Sequence, residues 1–128
     1  MASNELVAGA LKGDVKALEP LGRQPWAAVE LAARSVESLV LRPDAIVRVL
    51  AGLREGLITA DQAQAWASFV RRGYLAGGHG PIHPLGIDYD QQNEDAMVEA
   101  IARLDELGDD REIRSDELRK LETRLRPG

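Results

Sequence analysis

The apolar positions of this chain recur at helical spacing over most of its length. Five residues after Pro25 share one predicted helical face: Trp26, Val29, Ala33, Val36 and Val40. This stripe predicts a helix that begins at Pro25 and ends at Arg42, because a residue before proline avoids the helical region. Pro43 suits the first position of the next helix, which Gly56 is expected to end in a left-handed conformation. The apolar stripe predicted for that helix is Ile46, Leu50, Leu53 and Leu57.

A capping box marks the start of the following helix. Thr59 is followed at the third position by Gln62, so that each side chain can pair with the other residue's backbone N–H. The buried face predicted for this helix contains Ala63, Trp66, Val70 and Tyr74, with Phe69 beside them. We expect the helix to end at Gly77 and Gly78 and to be followed by one long irregular loop, residues 77–90.

Three further helices complete the predicted set of six. They cover residues 3–11, 91–107 and a last segment that begins at Ser115. Residues 87–89 have the composition of a short strand, but no partner strand is evident, and residues 12–24 have the composition of a connector.

These patterns predict an all-α fold, a compact bundle of five to six helices with one irregular loop. The length of 128 residues fits a single domain. Within it we expect residues 1–24 to form an arm with a short helix, attached less firmly to a helical domain of residues 25–128. We also expect both Trp26 and Trp66 to be buried.

The composition excludes several classes of function. The chain has no cysteine, which removes disulfides, thiolate zinc sites and cysteine nucleophiles. Its net charge of −5 argues against non-specific binding of nucleic acid, which starts with a basic surface. Neither a secretory leader nor a membrane span is evident, and arginine greatly outnumbers lysine, as in GC-rich genomes. We expect a cytoplasmic bacterial protein; its oligomeric state is open.

Acidic residues are concentrated in the second half of the chain. Residues 88–117 contain twelve acids and three arginines. Acids near a helix N-terminus are explained by the helix dipole, but a second group lies at the predicted C-terminal end of the fifth helix, where the dipole disfavours negative charge. That group is Asp105, Glu106, Asp109, Asp110 and Glu112. We interpret it as the binding surface for a basic protein partner.

Two other functions remain open. His79 and His83, with Asp88 and Asp90 downstream, have the ligand types of a divalent-metal site, but the surrounding prolines and glycines oppose the helix that would align the histidines. We therefore expect no metal and no cofactor at this loop, although a metal-dependent activity there is an alternative.

The second alternative is a helix-turn-helix DNA-binding regulator built from helices 44–55 and 60–75. Its base-reading helix would present Asp61, Gln62, Gln64 and Ser68. The Asp61 carboxylate would approach phosphates and the Arg71–Arg72 pair lies at the far end, so we expect no nucleic-acid binding. No serine stands at a strand-to-helix elbow either, which favours a non-enzymatic protein.

Two segments of the chain resemble parts of known proteins: residues 53–67 (LREGLITADQAQAWA) and 98–109 (VEAIARLDELGD). The proteins they resemble are small, acidic, all-helical bacterial proteins of uncharacterised function, in which a short turn leads into a helix with a Trp-Ala pair. Some of these are similar to immunity proteins that neutralise nuclease toxins with an acidic surface. The resemblance implies a helical fold and an immunity- or antitoxin-like role, and it assigns no functional residue.

Overall fold

The computed structural model describes residues 3–36, 39–73, 85–107 and 115–125. Within these segments the helices and strands are α1 (Ser3–Leu11), α2 (Leu18–Gly22), α3 (Trp26–Arg34), β1 (Val40–Leu41), α4 (Pro43–Arg54), α5 (Ala60–Arg72), β2 (Asp88–Tyr89), α6 (Glu94–Asp105) and α7 (Ser115–Leu125). Short 3₁₀ turns at Val15–Ala17 and Gln91–Asn93 precede α2 and α6. The predicted all-α class is confirmed. The described segments hold one helix more than expected, because part of the connector forms α2.

Helix α1 is an integral part of the core. Its side chains Leu6, Val7, Ala10 and Leu11 are buried, and the helix packs against α3. The indole N–H of Trp66 on α5 donates to the carbonyl oxygen of Ala10 at 2.7 Å, in a buried position. The apolar residues of α1, which recur at helical spacing, therefore form part of the core around Trp66.

Helix α3 is shorter than the apolar stripe predicted. It is capped by Pro25 rather than starting with it, and it ends at Arg34, so that Val36 and Val40 lie beyond it. Val40 belongs instead to β1, which pairs in parallel with β2 in the register Val40–Asp88 and Leu41–Tyr89. The Asp88 N–H donates to the Leu39 carbonyl oxygen at 2.9 Å. β-branched and leucine residues suit a half-buried strand as well as a helix, and the β2 partner decides between them.

The turn between α4 and α5 confirms the predicted capping. Pro43 occupies the first turn of α4, and Gly56 after that helix has a φ of +74°. At the start of α5, the Gln62 N–H donates to the Thr59 hydroxyl at 3.1 Å, and the Thr59 N–H donates to the Gln62 side-chain oxygen at 2.9 Å. Leu57, predicted on the apolar stripe of α4, is 69 % exposed, because Gly56 redirects the chain before it.

Helix α5 ends earlier than expected. Gly73, with a φ of +79°, closes it by donating its N–H to the Phe69 carbonyl oxygen at 2.8 Å. Gly77 and Gly78, the predicted end, and Tyr74 lie outside the described residues. The Gly73 carbonyl oxygen in turn accepts from the Leu85 N–H at 2.8 Å, so that the chain positions on either side of residues 74–84 are adjacent.

The core lies between two packed helix pairs, α4 with α7 and α5 with α6. Trp66, Phe69, Ile46, Leu50, Met97, Ile101 and Leu104 are among its fully buried side chains. Trp26 is 7 % exposed and Trp66 is fully buried, which confirms the prediction for both indoles. None of the described helices combines the length and apolar character needed to cross a membrane.

Candidate interaction surface on helix α6

Helix α6 has an apolar inner face and an acidic outer face. The inner face buries Met97, Ala100, Ile101 and Leu104, at the spacing of one helical side. The opposite side presents Asp95, Val98, Glu99, Ala102 and Glu106, which we call the α6 outer stripe. Val98 is 48 % exposed. An exposed valine among carboxylates is therefore the distinctive feature of this surface.

Asp105, the first of the predicted partner-binding acids, does not lie on this stripe. Its side chain is 5 % exposed, with Oδ2 at 3.0 Å from Arg71 Nη1 and 3.5 Å from Arg72 Nη2. The Gln64 side-chain amide also approaches Oδ1, at 3.4 Å. These contacts join α6 to the last turn of α5. The Asp105 carboxylate thus joins α5 to α6, and little of its negative charge is exposed to a partner protein.

Glu106, the second predicted acid, is half exposed at the end of α6. One of its carboxylate oxygens lies 3.8 Å from Arg103 Nη1. The stronger partner of Arg103 is Glu117 on α7, with Nε donating to Oε1 at 2.8 Å and Nη2 to Oε2 at 3.2 Å. The hydrogen bonds that Arg103 donates to Glu117 raise the pKa of Arg103 above its usual value. Arg103 is thus engaged mainly by Glu117, and the Glu106 side chain is half exposed.

The other end of α6 is fixed to the last turn of α7. Arg124 of α7 pairs with Glu99, and the Asn93 side-chain amide donates to the Leu125 carbonyl oxygen at 3.1 Å. Together with the Arg103–Glu117 pair at the opposite end, these contacts show that α6 and α7 run antiparallel. The outer stripe is therefore displayed on a helix that is anchored at both ends.

A buried ion pair holds α7 on α4. Arg54 Nε lies 3.1 Å from Glu122 Oε2, and Arg54 Nη2 donates to Glu122 Oε1 at 3.3 Å. Glu122 is 4 % exposed, the one charged residue that the structure places among its buried described residues. The hydrogen bonds that Arg54 donates to Glu122 raise the pKa of Arg54. This pair fixes α7, and through α7 it supports α6.

Asp95 lies at the beginning of the stripe and is exposed. It is in the first turn of α6, as is Glu94, where the positive end of the helix dipole stabilises a carboxylate. Neither residue forms an ion pair with any residue that the structure describes. Both carboxylates are exposed at the surface.

The remaining predicted site residues divide into two groups. Asp109, Asp110, Glu112, His79 and His83 lie outside the described residues. Asp88 and Asp90 lie at β2, where Asp88 is exposed and the Asp90 N–H donates to the Leu41 carbonyl oxygen at 2.9 Å. Over the described segments, no three histidine or carboxylate side chains converge in a way that could hold a metal ion.

The side chains expected to read DNA bases are engaged within the domain. Gln62 is part of the capping box, the Gln64 amide approaches Asp105, and Ser68 bonds to Arg72. Arg71 and Arg72, the basic pair of that hypothesis, both contact Asp105. Burial raises the pKa of the nearby Tyr89 phenol, and the positive charge of Arg71 opposes this shift. Gln64, Arg71 and Arg72 of α5 therefore contact α6, whereas Gln62 and Ser68 bond within α5 and its N-cap.

Sequence reasoning assigned Asp95 to the helix dipole and did not identify Val98 or Glu99 as surface features. The pattern that could have found them is the inner face itself. Once Met97, Ile101 and Leu104 are taken as buried, the residues on the opposite side are fixed by the helical period.

A comparison with protein-family models, with curated proteins and with solved structures found no match to this chain. The surface on α6 is therefore interpreted from its own geometry and charge.

Proposed function

We propose that this protein is a non-enzymatic interaction module that binds a basic protein partner through the α6 outer stripe. The observation that carries the proposal is the exposed Val98 with Asp95, Glu99 and Glu106 around it on one helical face. Protein interfaces commonly have an apolar centre and a polar rim. In this stripe Val98 would be the centre, and the three acidic residues would be the rim. The partner should present a complementary apolar side chain flanked by lysine or arginine.

The charge of the surroundings supports the same partner chemistry. Asp109, Asp110 and Glu112 follow Glu106 closely in sequence and extend the predicted acidic surface. Acidic residues of this kind accelerate association with a basic partner and select against acidic ones. Asp105 is 5 % exposed and paired with Arg71 and Arg72, so the proposed surface leaves it out. In its place we propose Asp95, which is exposed, and Glu99, whose side chain is 53 % exposed although it pairs with Arg124.

An immunity- or antitoxin-like role is the specific form that the resemblance of residues 53–67 and 98–109 suggests. In that role the basic partner is a nuclease toxin, whose own nucleic-acid site supplies the positive surface. We propose further that the protein acts in the bacterial cytoplasm, in line with the composition of the chain and with the absence of a membrane-spanning helix from its described part.

The experiment compares three immobilised proteins in a lysate of the source organism. They are the wild type, a stripe variant with Asp95→Asn, Glu99→Gln and Glu106→Gln, and a control variant with Asp61→Asn, Glu19→Gln and Glu55→Gln. Each control position matches one in the stripe. Asp61 and Asp95 are both second in their helices, Glu55 and Glu106 both cap helix C-termini, and Glu19 and Glu99 both pair with an exposed arginine.

The expected result is a basic protein retained by the wild type and the control and lost by the stripe variant. Its retention should also fall as salt is raised, because exposed charges are screened. Once that protein is purified, Val98→Asp should shorten the lifetime of the complex, whereas the acid-to-amide changes should mainly slow its formation. Equal retention by all three immobilised proteins would refute the proposal.

A further inference from the structure

A cavity opens between α1, β1 and the first turn of α4. Its volume is about 530 Å³. Among the described residues, its apolar lining is formed by Ala8, Leu11, Val36, Val40 and Ala45. Its described polar lining is Lys12, Arg42 and Asp44, all of which are exposed. The volume lies within the range of sites that hold small molecules, roughly 300–1,000 Å³.

Lys12 and Arg42 at this cavity differ from most arginines of the described segments in their ion pairing. Arg54, Arg71, Arg103 and Arg124 are all paired with carboxylates of another helix. Neither Lys12 nor Arg42 forms an ion pair with any residue in the described segments. Asp44 also lines the cavity, so the three side chains together carry one net positive charge.

The backbone fixes the position of these groups. Gly13 has a φ of +91°, and a Cβ atom at this glycine would lie 2.5 Å from the Ala45 carbonyl oxygen. This close approach places Lys12 beside the start of α4. Arg42 is the N-cap of α4 in an extended conformation, and its side chain makes no capping hydrogen bond. Lys12 and Arg42 therefore both line the apolar depression, and both are exposed.

We propose that this cavity binds a small amphipathic carboxylate, such as a medium-chain fatty acid. The alkyl chain would lie against the apolar lining formed by Ala8, Val36 and Val40. The carboxylate would lie between Lys12 and Arg42. A neutral ligand would leave these two positive charges without a counter-charge, and a cationic ligand would be repelled by them. This site is separate in sequence and in residues from the α6 outer stripe, and it does not depend on the proposed function.

The test is calorimetric titration of the full chain with sodium decanoate below its micelle concentration. One saturable site is expected for decanoate, with much weaker binding of decanol and none of decylammonium. Equal binding of decanol and decanoate would overturn the role assigned to the cations. Absence of saturable decanoate binding would overturn the proposal as a whole.

Three variants and one control locate the site. The double variant Lys12→Gln and Arg42→Gln should weaken decanoate binding about tenfold, because each exposed cation contributes modestly. The double variant Arg119→Gln and Lys120→Gln on α7 removes the same two residue types and the same charge, and it should bind as the wild type does. Equal weakening in both double variants would show an effect of net charge alone and would refute the site.

Two further changes act on the cavity in opposite directions. Ala8→Leu fills the apolar lining from α1 with a residue that helices accept readily, and it should abolish binding while the protein stays helical. Asp44→Asn removes a carboxylate that lines the cavity and should strengthen binding about threefold. Unchanged affinity in both variants would place any bound decanoate elsewhere.

Discussion

The carboxylate of Asp105 on α6 lies 3.0 Å from the guanidinium of Arg71 on α5, with the acid shielded and the arginine half exposed. Asp105→Ala is expected to lower the free energy of unfolding by about 1–2 kcal/mol, since the α5–α6 contact is lost while the arginines can rehydrate. Urea denaturation at neutral pH measures the loss. Glu106→Ala is the control and should cost less than about 0.5 kcal/mol, because its carboxylate is half exposed. Equal effects of the two changes would contradict the structural role of Asp105.

Substituting Arg54 and substituting Glu122 are expected to lower the stability of the protein by different amounts. Arg54→Met leaves a carboxylate that is 5 % exposed without its cation, whereas Glu122→Leu leaves an arginine that is 24 % exposed and can turn toward water. We therefore expect Arg54→Met to lower the melting temperature more than Glu122→Leu. The double variant should recover most of the loss, because an apolar pair can replace a buried ion pair. Thermal unfolding of the three variants checks this order, and the reverse order would show that Glu122 is better solvated than its burial indicates.

Gly13 and Gly56 both have positive φ angles but differ in their surroundings. An alanine at Gly56 would meet no atom within 4 Å, whereas at Gly13 its Cβ would lie 2.5 Å from the Ala45 carbonyl oxygen. Gly56→Ala should cost about 1 kcal/mol of stability, from backbone conformation alone. Gly13→Ala should cost clearly more, because α1 and α4 must also move apart. Similar losses in chemical denaturation would show that the close approach is relaxed in solution.

Ionisation of Tyr89 is expected to lower the stability of the protein at alkaline pH. Burial raises the pKa of its phenol above the usual 10.0, so the folded state disfavours the ionised form. The resulting stability is fully present below pH 10.0 and is lost as the pH rises through the folded-state pKa. Tyr89→Phe removes this titration. Its melting temperature should therefore fall less steeply than that of the wild type over this pH range, and parallel curves for the two proteins would argue against burial of the phenol.

The parts of the fold that were predictable from sequence depend on neighbouring residues. The capping box of Thr59 and Gln62, the start of α4 at Pro43 and the bounds of α1 all follow from local chemistry. The left-handed glycine after α4 belongs to the same class, and only its neighbour Leu57 was misplaced. Local rules also predicted a glycine at the end of α5, but at Gly77 and Gly78. The helix ends at Gly73, the first glycine after its start, whose N–H donates to the Phe69 carbonyl oxygen.

The parts that failed depend on residues far apart in sequence. The helical stripe after Pro25 is interrupted because Val40 pairs with β2, and no feature near Val40 identifies that partner. In the same way, Asp105 has the local properties of an exposed acid, and its partner Arg71 is 34 residues away. Tertiary contact therefore shields Asp105, whereas Glu106 next to it is half exposed.

The hydrogen bond from the Leu85 N–H to the Gly73 carbonyl oxygen has a consequence for how this chain can be lengthened. Since the two anchor points are adjacent, the number of residues between them is uncoupled from the positions of α5 and β2. Closing a longer connection costs entropy slowly, about 0.6 kcal/mol for each doubling of its length. This position is therefore a natural point for insertion of a reporter domain or an additional recognition segment, and evolution could have exchanged the sequence here without altering the helical framework.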